Sequence, residues 1–210
     1  MPEMSTAAPP GNIPTRPSGW PVLRTPRWML AGAAVLAVGL ALFAIPRHPS
    51  TTERASDLRG VVHDLNTDIE SCAGGVSESL TALREIQSGA SHDVKTAVSI
   101  ATYGAANCSP ANSMPMDDLV QYQLPESLAS FHLDQTVNDL VTWGFPDAQQ
   151  VQLDVVTVLT ASTPAAIRAA SAALERDQRV LNAERATIDG MINAVSKSLS
   201  AGVAPPALPG

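Results

Sequence analysis

The feature of this sequence that most constrains its fold is the spacing of apolar residues after residue 50, which recur every three or four positions. With each residue advancing 100°, the first set falls within about 40° of one line. Its members are Leu58, Val62, Leu65, Ile69, Cys72, Val76, Leu80 and Leu83. The pattern predicts a long helix from Thr51 with one buried face, which Pro46 and Pro49 separate from the preceding chain.

A second long helix is indicated near the end of the chain. Thr163 suits its N-cap, Pro164 its first turn, and Gly202 lies just past its end. Its apolar residues recur every seven positions, a seam suited to packing along another helix. They are Ile167, Leu174, Leu181, Ile188 and Val195.

Shorter helices are predicted between these two. One begins with Ser91 as its cap, and a second runs through "PESLASFHLDQTVNDLVTWG" to Gly144 as a left-handed stop. A third follows Pro146, although brief alternation at 151, 153 and 155 leaves a strand open. Because no second strand is available for pairing, helix is favoured. We therefore expect an all-α fold, an extended bundle of about five helices over residues 50–201, with a disordered tail at 202–210.

An uncharged apolar stretch lies before this domain, within residues 28–46. Its seventeen residues from Met29 to Ile45 cover about 25 Å as a helix, enough to cross a bilayer. Trp28 stands where an interfacial aromatic belongs, and arginines bracket the stretch. A buried core helix and a cleaved signal peptide are the alternatives. The cleavage site is poor and the preceding tail, residues 1–27, is long and Pro-rich, so an uncleaved anchor behind a disordered tail is predicted.

The chain has two cysteines, Cys72 and Cys108, each eighteen residues from position 90. If a turn lies at residues 88–91, an antiparallel helical hairpin brings them to the same height. A disulfide requires a close helix approach, and the small residues of "CAGG" and "YGAANC" permit it. The alternative is a helix broken at the glycines and two unrelated buried thiols. We predict the disulfide.

The arginines on the two sides of the apolar stretch do not determine its orientation in the membrane. Because a disulfide persists outside the reducing cytosol, the predicted disulfide does. The N-terminus is expected in the cytoplasm and the domain in the extracytoplasmic space of a bacterial cell envelope. Few lysines, two against eleven arginines, are typical of a GC-rich bacterial genome. Residues 49–210 carry 19 acids and nine bases, which excludes a nucleic-acid partner because no basic patch is available to bind phosphates.

Candidate chemistry is sparse. His63 and Glu70 share one helix face and are weak metal candidates, but Thr67 between them is a poor ligand and a solvated face is favoured. Trp143 and Phe145 form either a ligand-facing aromatic pair or core anchors at a helix corner. No catalytic or phosphate-binding motif occurs, and no cofactor is expected.

The sequence therefore predicts a single-pass membrane protein whose outer helical bundle is a non-catalytic protein-interaction or ligand-binding module. Its expected partners are the lipid bilayer and another membrane or envelope protein. A sensor subunit signalling through a membrane partner is the alternative. An envelope enzyme, with a pocket lined by His132 or clustered carboxylates, is a third. The small-residue stripe Ala33, Ala37 and Ala41 permits a homodimer.

Overall fold

The computed structural model describes residues 48–209, and these residues form six α-helices and no strand. The helices are α1 (Thr51–Ser88), α2 (Val94–Asn107), α3 (Met114–Val120), α4 (Leu133–Thr142), α5 (Gln149–Thr160) and α6 (Pro164–Ser198). A 3-10 turn, Glu126–Phe131, precedes α4, and an irregular turn, Trp143–Ala148, joins α4 to α5. The all-α prediction is confirmed, with the short α3 as an unpredicted sixth helix.

The membrane anchor predicted at residues 28–46 and the tail predicted at 1–27 lie outside the described residues. Within residues 48–209, no helix combines the length and the apolar character needed to cross a bilayer.

The two long helices extend through the whole domain, over about 57 Å for α1 and about 52 Å for α6. They run antiparallel, since Arg59 near the start of α1 donates to the carbonyl of Ala201 just after α6. Helices α2 and α5 pack beside the second half of α1. The 3-10 turn and α3 pack beside the first half of α1, where Tyr122 donates to Asp64, and α4 packs against α6.

Helix α1 forms as the sequence predicts. Ser50 and Glu53 make a reciprocal capping box at its start, and Gly89 ends it with a left-handed φ of 75°. The helix continues through the glycines at 74 and 75, and every residue of the predicted apolar line is buried except Leu80, which is partly buried.

The chain between the long helices differs from the prediction in two places. Asp93, not Ser91, is the N-cap of α2, because its carboxylate accepts the backbone N–H of Thr96. The single helix predicted to end at Gly144 is divided at His132, whose φ of 53° is incompatible with a continuous α-helix.

Gly144 is also not a left-handed stop. It is buried where the chain crosses α1, and a Cβ there would lie 2.7 Å from Met116 Cε and 3.0 Å from Ile69 Cδ1. Glycine allows close packing at this position, where a Cβ would displace the ends of two flexible side chains, and its φ is not positive. The stretch that left a strand open is the helix α5, so helix was the correct choice.

Helix α6 begins as predicted, with Thr163 as N-cap and Pro164 at its first position. Of the predicted seam, four residues are buried, whereas Ile167 is 43% exposed. After α6 the chain turns through Ser200 and Gly202, which both have positive φ. The sequence predicts a loose tail from residue 202, but Leu208 is only 5% exposed and belongs to the core.

Candidate interaction groove

Helices α1 and α2 approach each other closely at the two cysteines. Cys72 and Cys108 are fully buried there at disulfide distance, with 1.99 Å between their sulfurs and 4.6 Å between their Cα atoms. Helix axes are ordinarily about 8–10 Å apart, so only small neighbouring residues allow this distance. The structure thus brings together the two residues that the hairpin register pairs.

Two glycines form the contact beside the disulfide. A Cβ on Gly75 would lie 2.8 Å from the Cα of Gly104, and a Cβ on Gly104 would lie 1.9 Å from Gln152 Oε1. Close approach therefore explains Gly75, as the sequence predicts. It does not explain Gly74, because a Cβ there meets nothing within 4 Å.

A buried glutamine completes this crossing, and the sequence analysis missed it. Gln152 of α5 is fully buried, and its amide donates to Cys108 Sγ at 3.0 Å and to the Ala148 carbonyl at 3.3 Å. Its Oε1 accepts from Ser79 of α1 at 3.3 Å. The signal available in the sequence was a glutamine three residues before Val155 on the apolar side of α5.

On the solvent side of the same crossing, α1 and α2 enclose an open groove of about 590 Å³. It continues into a second depression of about 340 Å³, and Glu78 and Ile100 line both. We call the two together the α1–α2 groove. Its remaining lining residues are Glu70, Ser71, Gly74, Gly75, Ser77, Thr81, Ala82, Glu85, Thr96, Ser99, Tyr103, Gly104 and Asn107.

The two walls of the α1–α2 groove differ in chemistry. The α1 wall carries the exposed carboxylates of Glu70, Glu78 and Glu85, none of which forms a salt bridge with another described residue. The α2 wall presents Ile100 and the ring of Tyr103, which is 71% exposed. Since none of the lining residues is Lys or Arg, the groove attracts cations and offers an aromatic face beside the carboxylates.

The weak metal pair predicted on α1 lies on the surface. His63 and Glu70 are both exposed, and in residues 48–209 no three His, Cys, Asp or Glu side chains are grouped so that they could hold a metal ion. Glu70 instead lines the α1–α2 groove.

The two aromatic residues predicted at the helix corner have different environments. Trp143 is fully buried within the core, whereas Phe145 is 39% exposed. The core-anchor interpretation therefore fits Trp143 and not Phe145. His132, the residue that an enzyme pocket was expected to contain, is exposed at the break before α4.

A third depression, of about 450 Å³, lies between the end of α1 and the start of α6. Its lining includes Arg84 as well as Glu175, together with the leucines Leu80, Leu83 and Leu174. Because its charges are mixed, it has no selectivity for one sign of charge.

Comparison of the chain with protein-family models, with curated proteins and with solved structures finds no match.

Proposed function

We propose that this protein is a membrane-anchored, extracytoplasmic interaction module that binds a basic segment of a partner protein in the α1–α2 groove. The observation that carries the proposal is the one-sided chemistry of that groove. Three exposed glutamates lie on one wall, and an exposed tyrosine lies on the other.

The chemistry of the groove defines the partner segment. Glu70 to Glu85 spans about 22 Å along α1, a length that matches several residues of an extended or helical peptide. Lys or Arg side chains of that segment would pair with the carboxylates, and an Arg guanidinium could also stack on Tyr103. Exposed charge pairs weaken with salt, so the interaction should be ionic-strength dependent.

The location rests on the sequence and on the cysteine pair. Residues 28–46 have the length and apolar character of an anchor, and a disulfide is typical of an oxidising compartment. A partner that is itself in the membrane or envelope would meet the groove there.

A sensor subunit signalling through a partner membrane protein is the second candidate function. The buried Asp154 and the half-buried Glu184, where α5 and the turn before it meet α6, favour it because their raised pKa values make them responsive to pH. An envelope enzyme is the third proposal, and it requires a reaction site lined by His132 or by clustered carboxylates.

The interaction proposal is tested by photo-crosslinking in cells that make the full-length protein. A photoreactive residue replaces Tyr103 in the groove, and a matched one replaces Val180, which is 44% exposed on α6. We expect a defined adduct from position 103 alone, with the crosslinked peptide of the partner rich in Lys or Arg. An adduct to a neutral or acidic peptide would contradict the proposal.

Charge removal at two sets of acidic residues provides the matched control. The triple variant E70Q/E78Q/E85Q should lose most of the adduct, while E126Q/D117N/D134N, three exposed acids outside the groove, should keep it. Equal adduct yield in both triple variants would mean that the carboxylates of the groove do not recognise the partner.

A further inference from the structure

Two pairs of carboxyl groups face each other where α5 and the turn before it meet α6. Asp154 lies opposite Asp177, and Asp147 lies opposite Glu184. Asp154 follows Asp147 by seven residues, and Asp177 precedes Glu184 by seven. Seven residues are about two helical turns, so in an antiparallel packing both pairs occur in one register on one face.

Both pairs contain a buried oxygen that lacks a hydrogen-bond donor. Asp154 is 7% exposed, and its Oδ1 accepts from the Gln150 amide at 2.9 Å, but its Oδ2 is buried without a partner. Oε2 of Glu184 is likewise buried without a partner. A buried carboxylate oxygen without a donor is costly, whereas a protonated carboxyl group is itself a donor to the carboxylate opposite.

We propose that the α5–α6 interface is closed by two carboxyl–carboxylate hydrogen bonds, Asp154–Asp177 and Glu184–Asp147, each holding one proton that is released to water as the pH rises. The domain thereby has a proton-dependent contact between its last two helices. The proposal is independent of the α1–α2 groove and of any partner that the groove binds.

The surrounding charges decide where the proton sits in the first pair. Arg176 contacts Asp177 through Nε–Oδ1 at 2.8 Å and Nη2–Oδ2 at 3.1 Å, which lowers the pKa of Asp177. Burial, together with the Asp177 carboxylate, raises the pKa of Asp154. The proton therefore belongs to Asp154. The charged groups acting on Asp154 come from α6, and none comes from α1 or α2, the other helices against α5.

In the second pair, the groups that act on the pKa of Glu184 are both carboxylates. The pKa of Glu184 is raised to about 7. The largest cause is burial, followed by the carboxylates of Asp147 in the turn and Asp139 in α4. Because the folded protein holds this proton more tightly than the unfolded chain, the stabilisation is complete below the ordinary value of 4.5. This stabilisation is lost as the pH rises from 4.5 through about 7.

The test measures chemical unfolding of the full chain in detergent micelles between pH 5 and pH 8. For the wild type, the unfolding constant should rise by about 70-fold over this range from Glu184 alone, whose pKa is 4.5 in the unfolded chain and about 7 in the folded protein. Glu184→Gln supplies a permanent amide donor, so the unfolding constant of this variant should rise less, by the factor that Glu184 contributes in the wild type. Asp154→Asn should also flatten the profile. Glu175→Gln, an exposed acid two turns earlier on α6, should leave the profile of the wild type unchanged.

A profile for Glu184→Gln as steep as that of the wild type would overturn the proposal. Should a variant fail to fold, a carboxyl ¹³C titration of the unmodified protein answers the same question. We expect the midpoint of Glu184 at about 7, and a midpoint near 4.5 would overturn the shared proton.

Discussion

At the scale of single residues, two adjacent glycines of α1 have opposite environments. A Cβ on Gly75 would meet the backbone of Gly104, whereas a Cβ on Gly74 would meet nothing within 4 Å. Both have the conformational cost of glycine in a helix, but only Gly75 has a packing reason for it. One rotation of 100° between neighbours separates the two roles.

We predict that Gly75→Ala lowers the free energy of unfolding by about 1–3 kcal/mol, because the added methyl group must displace the backbone of α2. Gly74→Ala is the matched control, and it should raise that free energy by about 0.5–1 kcal/mol through reduced backbone entropy. Urea unfolding of both variants measures the difference. Equal effects would show that α1 is not in close contact with α2 at position 75.

At the scale of helices, the seven-residue repeat of α6 describes most, but not all, of its buried face. Leu181 and Ile188 are fully buried in the core, whereas Ile167, in the first turn of α6, is 43% exposed. The repeat identifies which residues share a face. How far along the helix that face is covered depends on where the neighbouring helices end.

We predict that Leu181→Ala destabilises the domain by about 2–5 kcal/mol, since it leaves a cavity in a closed core. Ile167→Ala, the control at an equivalent repeat position, should change the free energy of unfolding by no more than about 0.5 kcal/mol. Thermal and chemical unfolding of the two variants provide the comparison. A large loss for Ile167→Ala would mean that this end of α6 is covered by a further surface.

At the scale of the whole domain, the Cys72–Cys108 link joins α1 to the end of α2 over a sequence separation of 36 residues. A loop of that length restricts the unfolded chain substantially. The link is also adjacent to the packing of α5, through Gln152. It therefore connects the three helices that meet at the centre of the domain.

We predict that the double variant C72A/C108A loses roughly 3–4 kcal/mol of unfolding free energy, from the greater entropy of its unfolded chain. Tryptic mapping without reduction should first recover the two cysteine-containing peptides as one linked species from membrane-expressed protein. Recovery of both cysteines as free thiols would remove the main argument for an extracytoplasmic domain.

The anchor is a separate prediction at this scale. We expect the full chain to remain in the membrane fraction after high-salt and alkaline washing, because an uncharged apolar stretch that is long enough to cross a bilayer as a helix would not be extracted by either. A variant lacking residues 28–46 should leave that fraction. Retention of this variant in the membrane fraction would assign the attachment to residues of the bundle.

The sequence by itself determined the helical class, the extent of α1, the cap and start of α6, and the pairing of the cysteines. Each follows from local periodicity, from capping chemistry or from symmetry about one turn. These signals are local in the sequence and do not depend on tertiary contacts. Only the tertiary structure decided that His132 interrupts a helix, that Gly104 lies against Gln152 and that Gln152 is buried beside the disulfide. It also decided that Glu70, Glu78 and Glu85 line one groove and that carboxyl groups on α5 and α6 face each other. These features depend on which faces of distant segments meet, and the hydrophobic pattern specifies that a face is buried but not what it is buried against.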